Sequence, residues 1–349
     1  MSKRFYQLFF TTTCILQLSL LQAQTIGGNS TFSFVKLSNA PQLSALGSIN
    51  ISNQNRDASL SFMNPALLRD SMHAQLSAVF NSFFSGIGNY HVYYVQHAEK
   101  MNTNFAVGVN FFNYGKTTQT DAAGNILGNF RPVDYVVQLS AAQNFKEQWH
   151  YGITVKYISS AYAAYKSNGI AADFGVTYTD EANAVQIGFV AKNMGTQLKA
   201  YGSRKEDLPF DVQLGISKRL KNIPLQFSIT AHHLHQFDIR YNDTTFDINP
   251  FEEANNKRFT ADKILRHFVF GTQFYIGDKI ELSIGYNHLR RSELKISTAG
   301  NGLIGFSAGL GVLFNKIQLR YARSYYQNTS AYNQLGISIK MNEYFNFSK

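Results

Sequence analysis

Residues 268–289 read FVFGTQFYIGDKIELSIGYNHL. Phe268, Phe270, Phe274 and Ile276 alternate with Val269, Gly271, Gln273 and Tyr275. Beyond Gly277-Asp278 the alternation resumes, with Ile280, Leu282, Ile284 and Tyr286 on one side and Glu281, Ser283, Gly285 and Asn287 on the other. Successive side chains of a strand point to opposite faces, so each run has one apolar face and one small or polar face. Gly-Asp between two such runs signals a two-residue hairpin, because glycine takes positive φ without steric cost. The stretch predicts a long antiparallel hairpin.

The same unit recurs through most of the chain. Fourteen candidate strands follow His73, at 75–84, 89–98, 103–114, 131–145, 149–161, 168–180, 183–194, 208–218, 224–235, 264–276, 279–290, 303–314, 316–325 and 331–340. Most exceed the about 5–6 residues usual for soluble strands and reach the roughly 9–11 needed by a tilted membrane strand. Their connectors alternate in length. Those at 99–102, 146–148, 181–182, 219–223, 277–278 and 315 are short, and those at 115–130, 162–167, 195–207, 236–263, 291–302 and 326–330 are mostly longer. Tight turns at one end and loops at the other are the pattern of an outer-membrane barrel, with short periplasmic turns and extracellular loops. The expected fold is all-β: a transmembrane antiparallel barrel of about 14 strands. Lipid offers no hydrogen-bond partner to an open edge, so the sheet must close.

Composition agrees. The 349 residues include 29 Phe, 20 Tyr and 1 Trp, but 6 Pro, and charged residues make up 15%. The mean hydropathy of -0.19 excludes a helical membrane protein. The net charge of +10 suits an anionic surface such as lipopolysaccharide phosphate, and is too dispersed for a nucleic-acid site. Tyr90, Trp149, Tyr151, Tyr286, Tyr325 and Tyr344 lie near strand ends, where interfacial aromatic girdles form.

Four segments are expected. Residues 1–23 read as a secretory leader, with Lys3 and Arg4, an apolar Phe9–Leu21 stretch and Leu21-Gln22-Ala23 at the cleavage point. The only cysteine, Cys14, lies there, so no disulfide or thiol chemistry is expected of the remainder. Residues 24–72 form an N-terminal periplasmic or plug segment, 73–341 the barrel, and 342–349 a periplasmic tail. Within the plug, Asn64-Pro65 marks a brief helical turn, Asn64 as cap and Pro65 at its first position.

Few motifs invite chemistry. Gly305-Phe306-Ser307-Ala308-Gly309 matches the G-x-S-x-G of hydrolases, but lies in an alternating strand rather than a strand-to-helix elbow. Two S-x-x-K matches, Ser33–Lys36 and Ser292–Lys295, lack the accompanying motifs of penicillin-recognising enzymes. His232, His233 and His235 are the densest potential metal ligands. On a continuous strand only two would share a face, with no nearby carboxylate, so no metal is expected. No catalytic residues and no cofactor are expected either. Partner contacts are expected on the outer loops, at Phe246, Phe251 and Phe259 of the longest loop and at the basic pair Arg290-Arg291.

Gly27-Gly28-Asn29-Ser30-Thr31-Phe32-Ser33-Phe34, Leu43-Ser44-Ala45-Leu46-Gly47, Asn64-Pro65-Ala66-Leu67, Asn113-Tyr114-Gly115-Lys116, Lys192–Lys199 and Leu208–Gly215 together resemble the PorQ family, outer-membrane proteins of the type IX secretion system. The likeness spans nearly the whole chain after the leader. More distantly, the Asn-Pro-Ala segment and fourteen strands resemble FadL-type fatty-acid transporter barrels, related to PorV. The resemblance implies a non-enzymatic barrel in the attachment complex that processes cargo and links it to lipopolysaccharide. It also implies a surface-exposed PorZ-like partner, the PorU–PorV attachment complex and outer-membrane lipid as contacts. A FadL-type transporter of hydrophobic small molecules is the alternative.

Overall fold

The computed structural model describes residues 30–53, 55, 57–83, 86–239, 260–294, 302–326 and 331–344. Its strands, in chain order, are β1 (Gln75–Ser82), β2 (Gly88–Ala98), β3 (Thr103–Asn113), β4 (Thr117–Thr120), β5 (Ile126–Phe130), β6 (Val133–Phe145), β7 (Trp149–Tyr162), β8 (Tyr165–Asp180), β9 (Val185–Lys199), β10 (Asp211–Arg219), β11 (Leu225–Ala231), β12 (Phe268–Ile276), β13 (Ile280–Asn287), β14 (Phe306–Leu313), β15 (Ile317–Tyr325) and β16 (Ala331–Lys340). All but β4 and β5 pair in one closed antiparallel barrel of 14 strands, shut where β1 meets β16. The barrel itself therefore presents no open edge to lipid.

The alternation read at 268–289 decides which face points where. Val269, Gly271, Gln273 and Tyr275 of β12 turn into the barrel, as do Glu281, Ser283, Gly285 and Asn287 of β13. Phe274, Ile276, Leu282 and Ile284 face outward, Ile284 being 62% exposed. Such a surface is stable only against hydrocarbon, where exposed apolar side chains lose nothing. The turn differs from the expected two-residue form. Ile276 pairs with Ile280, so Gly277, Asp278 and Lys279 form a three-residue loop, with Gly277 at φ 58.

Three strands extend further than expected. Polar residues such as Lys166 and Ser167 continue the β7–β8 ladder up to a two-residue turn, and β9 runs on to Lys199. The loop between β3 and β6 has its own hairpin, β4–β5, which exposes Ile126 and Leu127 by 74% and 63%. The 224–235 and 264–276 runs are shorter than expected, because β11 stops at Ala231 and a helical turn, α2 (Ala261–Leu265), precedes β12. Similarly, β13 gives way at His288 to the helix α3 (His288–Glu293). The G-x-S-x-G reading holds in part: Gly305 lies in a turn at φ 87 just before β14, while Ser307 and Gly309 within the strand face inward as a small-residue face.

The core lies inside the barrel. The first described residues form a parallel bridge from Ser30 to Asp207. From there the described residues between 31 and 74 fill the lumen through short helical turns, including α1 (Pro41–Ala45). Leu43, Ile51, Leu60, Phe62, Met63 and Leu67 cluster with Val190 of the wall. Phe34 meets Phe112, and Leu68 and Met72 meet Tyr93 and Val95. The wall is shaped to this plug. A Cβ on Gly285 would overlap the backbone of Leu46 and Gly47, and one on Gly175 would overlap the Asn64 amide. Residues 1–23 lie outside the described residues.

Candidate functional site: a wall-bonded plug and an outer cavity

Asn64 holds its turn as a cap. Its Oδ1 accepts from the Ala66 N–H at 3.0 Å, its Nδ2 donates to Ile51 O at 3.0 Å, and Pro65 occupies the first helical position. The plug is joined to the wall by charge as well as shape. Arg320 of β15 donates to Asp57 at 2.5 Å and lies 3.7 Å from Glu281 of β13. Gln42 and Asn55 donate to the two oxygens of Glu281, each at 3.0 Å. Ser52 and Ser217 share a hydroxyl hydrogen bond of 2.9 Å. A second buried pair, Lys156–Asp173 at 2.5 Å, lies within the wall beside Phe62 of the plug. Asn193 satisfies both partners, donating its N–H to Asp173 at 2.8 Å and accepting from Lys156 at 3.0 Å. Taking these ions from water costs several kcal/mol each unless they are fully paired, so their retention inside points to a fixed arrangement.

The plug divides the lumen into two spaces. The outer one, about 300 Å³, has Val35, Ile49, Met63, Leu289 and Leu294 in its apolar walls. Lys36, Lys192, Asp211, His232, His233 and Arg290 supply its polar groups. The inner one, about 450 Å³, lies by the short turns and is polar, with Arg69, Glu147, His150 and Glu181 among its lining. Ile49 and Met63 border the outer space, and Asn53 and Leu67 the inner.

Arg290 and Arg291 part company in the structure. Arg290 is buried, donates to Gly47 O at 3.2 Å and to the Ser48 hydroxyl, and stacks 4.2 Å from the Tyr326 ring. The turn into α3 at His288 carries it inward, where an extended strand end would have shown it to the surface. Arg291 donates to Ile304 O at 3.2 Å and covers Phe306. Phe246, Phe251 and Phe259 lie outside the described residues.

The histidines also depart from expectation. His233 sits at φ 54, a left-handed conformation unusual for a side chain of this size, and breaks the alternation just beyond β11. His232 and His233 therefore turn to the same side, their Nδ1 atoms 2.5 Å apart. Asp211, at the start of the neighbouring β10, completes a group whose ligand atoms all lie within 4.8 Å of one another. A carboxylate absent from the local sequence thus arrives from the adjacent strand. The signal was available in the antiparallel hairpin, since the start of β10 must lie beside the end of β11. Burial pushes both imidazoles below their ordinary value of 6.5.

No protein-family model and no curated relative matches the chain. Among solved structures, a deltaS2 mutant of the TodX monoaromatic hydrocarbon channel aligns with TM-score 0.52 and 11% identity, over 88% of this chain and 98% of the channel. A Pseudomonas aeruginosa FadL homologue aligns with TM-score 0.46 and 9% identity, over 85% and 97%. This chain is an integral outer-membrane β-barrel with the fold of the TodX channel. Tight turns and both barrel ends of the chain then face the periplasm, and the longer loops face outward. Trp149 and Tyr344 lie at the end of the barrel with the short turns, and Tyr90 and Tyr286 near the end with the longer loops.

Proposed function

We propose that this chain is a non-enzymatic anchor of the outer membrane, holding a surface-exposed partner in the manner of the PorQ-type component of the type IX attachment complex. The observation that carries this reading is the plug bonded to its wall through Arg320–Asp57 and the Glu281 cluster. A lumen closed by buried charge pairs serves a static platform better than a passage. The exposed Ile126 and Leu127 on the outer β4–β5 hairpin offer a partner an apolar hold. The sequence resemblance names the partner class: a PorZ-like surface protein, with the PorU–PorV complex and lipopolysaccharide nearby.

The fold likeness itself supports a second reading more directly, because the aligned neighbour is a hydrocarbon channel. On that reading the apolar outer cavity receives a hydrophobic small molecule, and residues around Ile49–Leu67 are a hatch between the two spaces. A deletion strain tests both. Loss of surface-attached type IX cargo with normal uptake of a labelled long-chain fatty acid supports the anchor. Normal secretion with lost uptake overturns it in favour of transport.

A further inference from the structure

We propose that Asp211, His232 and His233 form a binding site for a borderline divalent transition metal, Zn²⁺ being the best match to two imidazoles and one carboxylate. The first support is convergence, all three offering ligand atoms within 4.8 Å of one another. It arises from the left-handed backbone of His233, which brings two adjacent imidazoles to one side instead of opposite faces.

The second support is the buried imidazole pair itself. His232 is completely buried, yet its Nε2 has no hydrogen-bond partner. The Nδ1 atoms of His232 and His233 face one another at 2.5 Å, and neither side chain is turned to a carbonyl through that nitrogen. A Zn–N distance of about 2.0–2.1 Å at a tetrahedral centre sets two ligand nitrogens roughly 3.3 Å apart, so the pair needs to part by less than about 1 Å.

The surrounding bonds resemble those that orient metal ligands. Asp211 accepts from the His233 N–H at 2.7 Å through Oδ1 and from Gln213 at 2.7 Å through Oδ2. His267 meets the His232 carbonyl at 2.8 Å through Nδ1 and Phe237 O at 2.9 Å through Nε2, bracing the loop that holds the pair. Such outer partners fix ligand geometry. Lys36 and Lys192 face the same cavity and oppose a dication, which limits affinity without removing any ligand. All three ligands line the outer cavity, so the remaining coordination position opens into it and is available to water or to a donor atom of whatever enters.

The test uses the purified full chain in detergent without a polyhistidine tag. Co²⁺ titration followed by its visible absorption, then displacement by Zn²⁺, reads stoichiometry and nitrogen ligation together. One Co²⁺ per barrel is expected, displaced by Zn²⁺. Asp211→Asn and His232→Gln should each abolish the signal, and Gln213→Ala should weaken it about tenfold or more. His97→Gln, at the opposite end of the barrel, should leave it unchanged. Heat-modifiable migration of each variant on gels shows that the barrel is folded. Absence of stoichiometric binding in the parent protein, or unchanged binding in folded Asp211→Asn, would overturn the site.

Discussion

Arg320 of β15 and Asp57 of the plug meet at 2.5 Å with both side chains withdrawn from solvent, so the lumen filling is tied to its wall by charge. Removing one partner of such a pair leaves the other buried without compensation, at a cost of about 3–5 kcal/mol. Arg320→Met strands Asp57 and Glu281 together and should lower the temperature at which the barrel loses its compact gel mobility. Pairing it with Asp57→Leu should recover part of the loss. A double variant no more stable than Arg320→Met would show that the charges are not coupled.

The glycine contacts predict a different failure. Gly285→Val places side-chain atoms where Leu46 and Gly47 lie, and overpacking of this kind costs about 1–3 kcal/mol or displaces the smaller element. The barrel should still close, since Gly285 keeps its ladder pairing, while the plug shifts. A Ser44→Cys reporter, buried in the parent, reads this directly, because the sequence has no cysteine beyond Cys14. Labelling that rises only in the Gly285→Val background is the expected result, and equal protection in both would contradict the close approach.

Outside the membrane, Asp262 joins the two loop helices. It accepts from Arg266 at 2.8 Å and from His288 at 3.0 Å. Partial burial opposes its charge, but these two donors outweigh that and hold it below its ordinary value of 3.8. A depressed carboxylate contributes stability that is present above the ordinary value and is lost as pH falls through the lowered one. Its side chain is 49% exposed, so the effect on global stability is small and the readout is local. Amide exchange, corrected for its intrinsic pH dependence, should speed up across residues 261–266 only below about pH 4. Asp262→Asn should remove that dependence.

On the anchor reading, the outer hairpin contributes apolar contact. Ile126→Asp with Leu127→Asp should reduce recovery of the surface partner by crosslinking about tenfold or more, consistent with loss of about 1.5–3 kcal/mol per buried apolar side chain. Barrel stability should not change, because both residues are exposed. Unreduced crosslinking would move the contact elsewhere.

Strands were legible because lipid imposes a two-residue period on every one of them. Phe274, Ile276, Leu282 and Ile284 announce their outward face locally. The candidate site was not legible in the same way. Asp211 and His232 are brought together by a strand ending that depends on a single left-handed residue, His233, and nothing in its neighbours demands that conformation. Arg290 was misplaced for a related reason, as the Asn287 cap turns the chain into a helix where alternation alone continues a strand. The seats of the plug on Gly175 and Gly285 pair residues far apart in sequence, and no local pattern records them.

The central claim, a plug that stays in place while the protein works, is tested most directly by locking it. Ser52 of the plug and Ser217 of β10 are 2.9 Å apart at their hydroxyls, close enough for Ser52→Cys with Ser217→Cys to form a disulfide. Cells carrying the oxidised double variant would be assayed for surface-attached type IX cargo, with reduced cells as the reference. Equal cargo attachment in locked and reduced cells is the predicted result. Function lost on oxidation and restored by reduction would contradict a stationary plug and establish that residues around Ser52 must move.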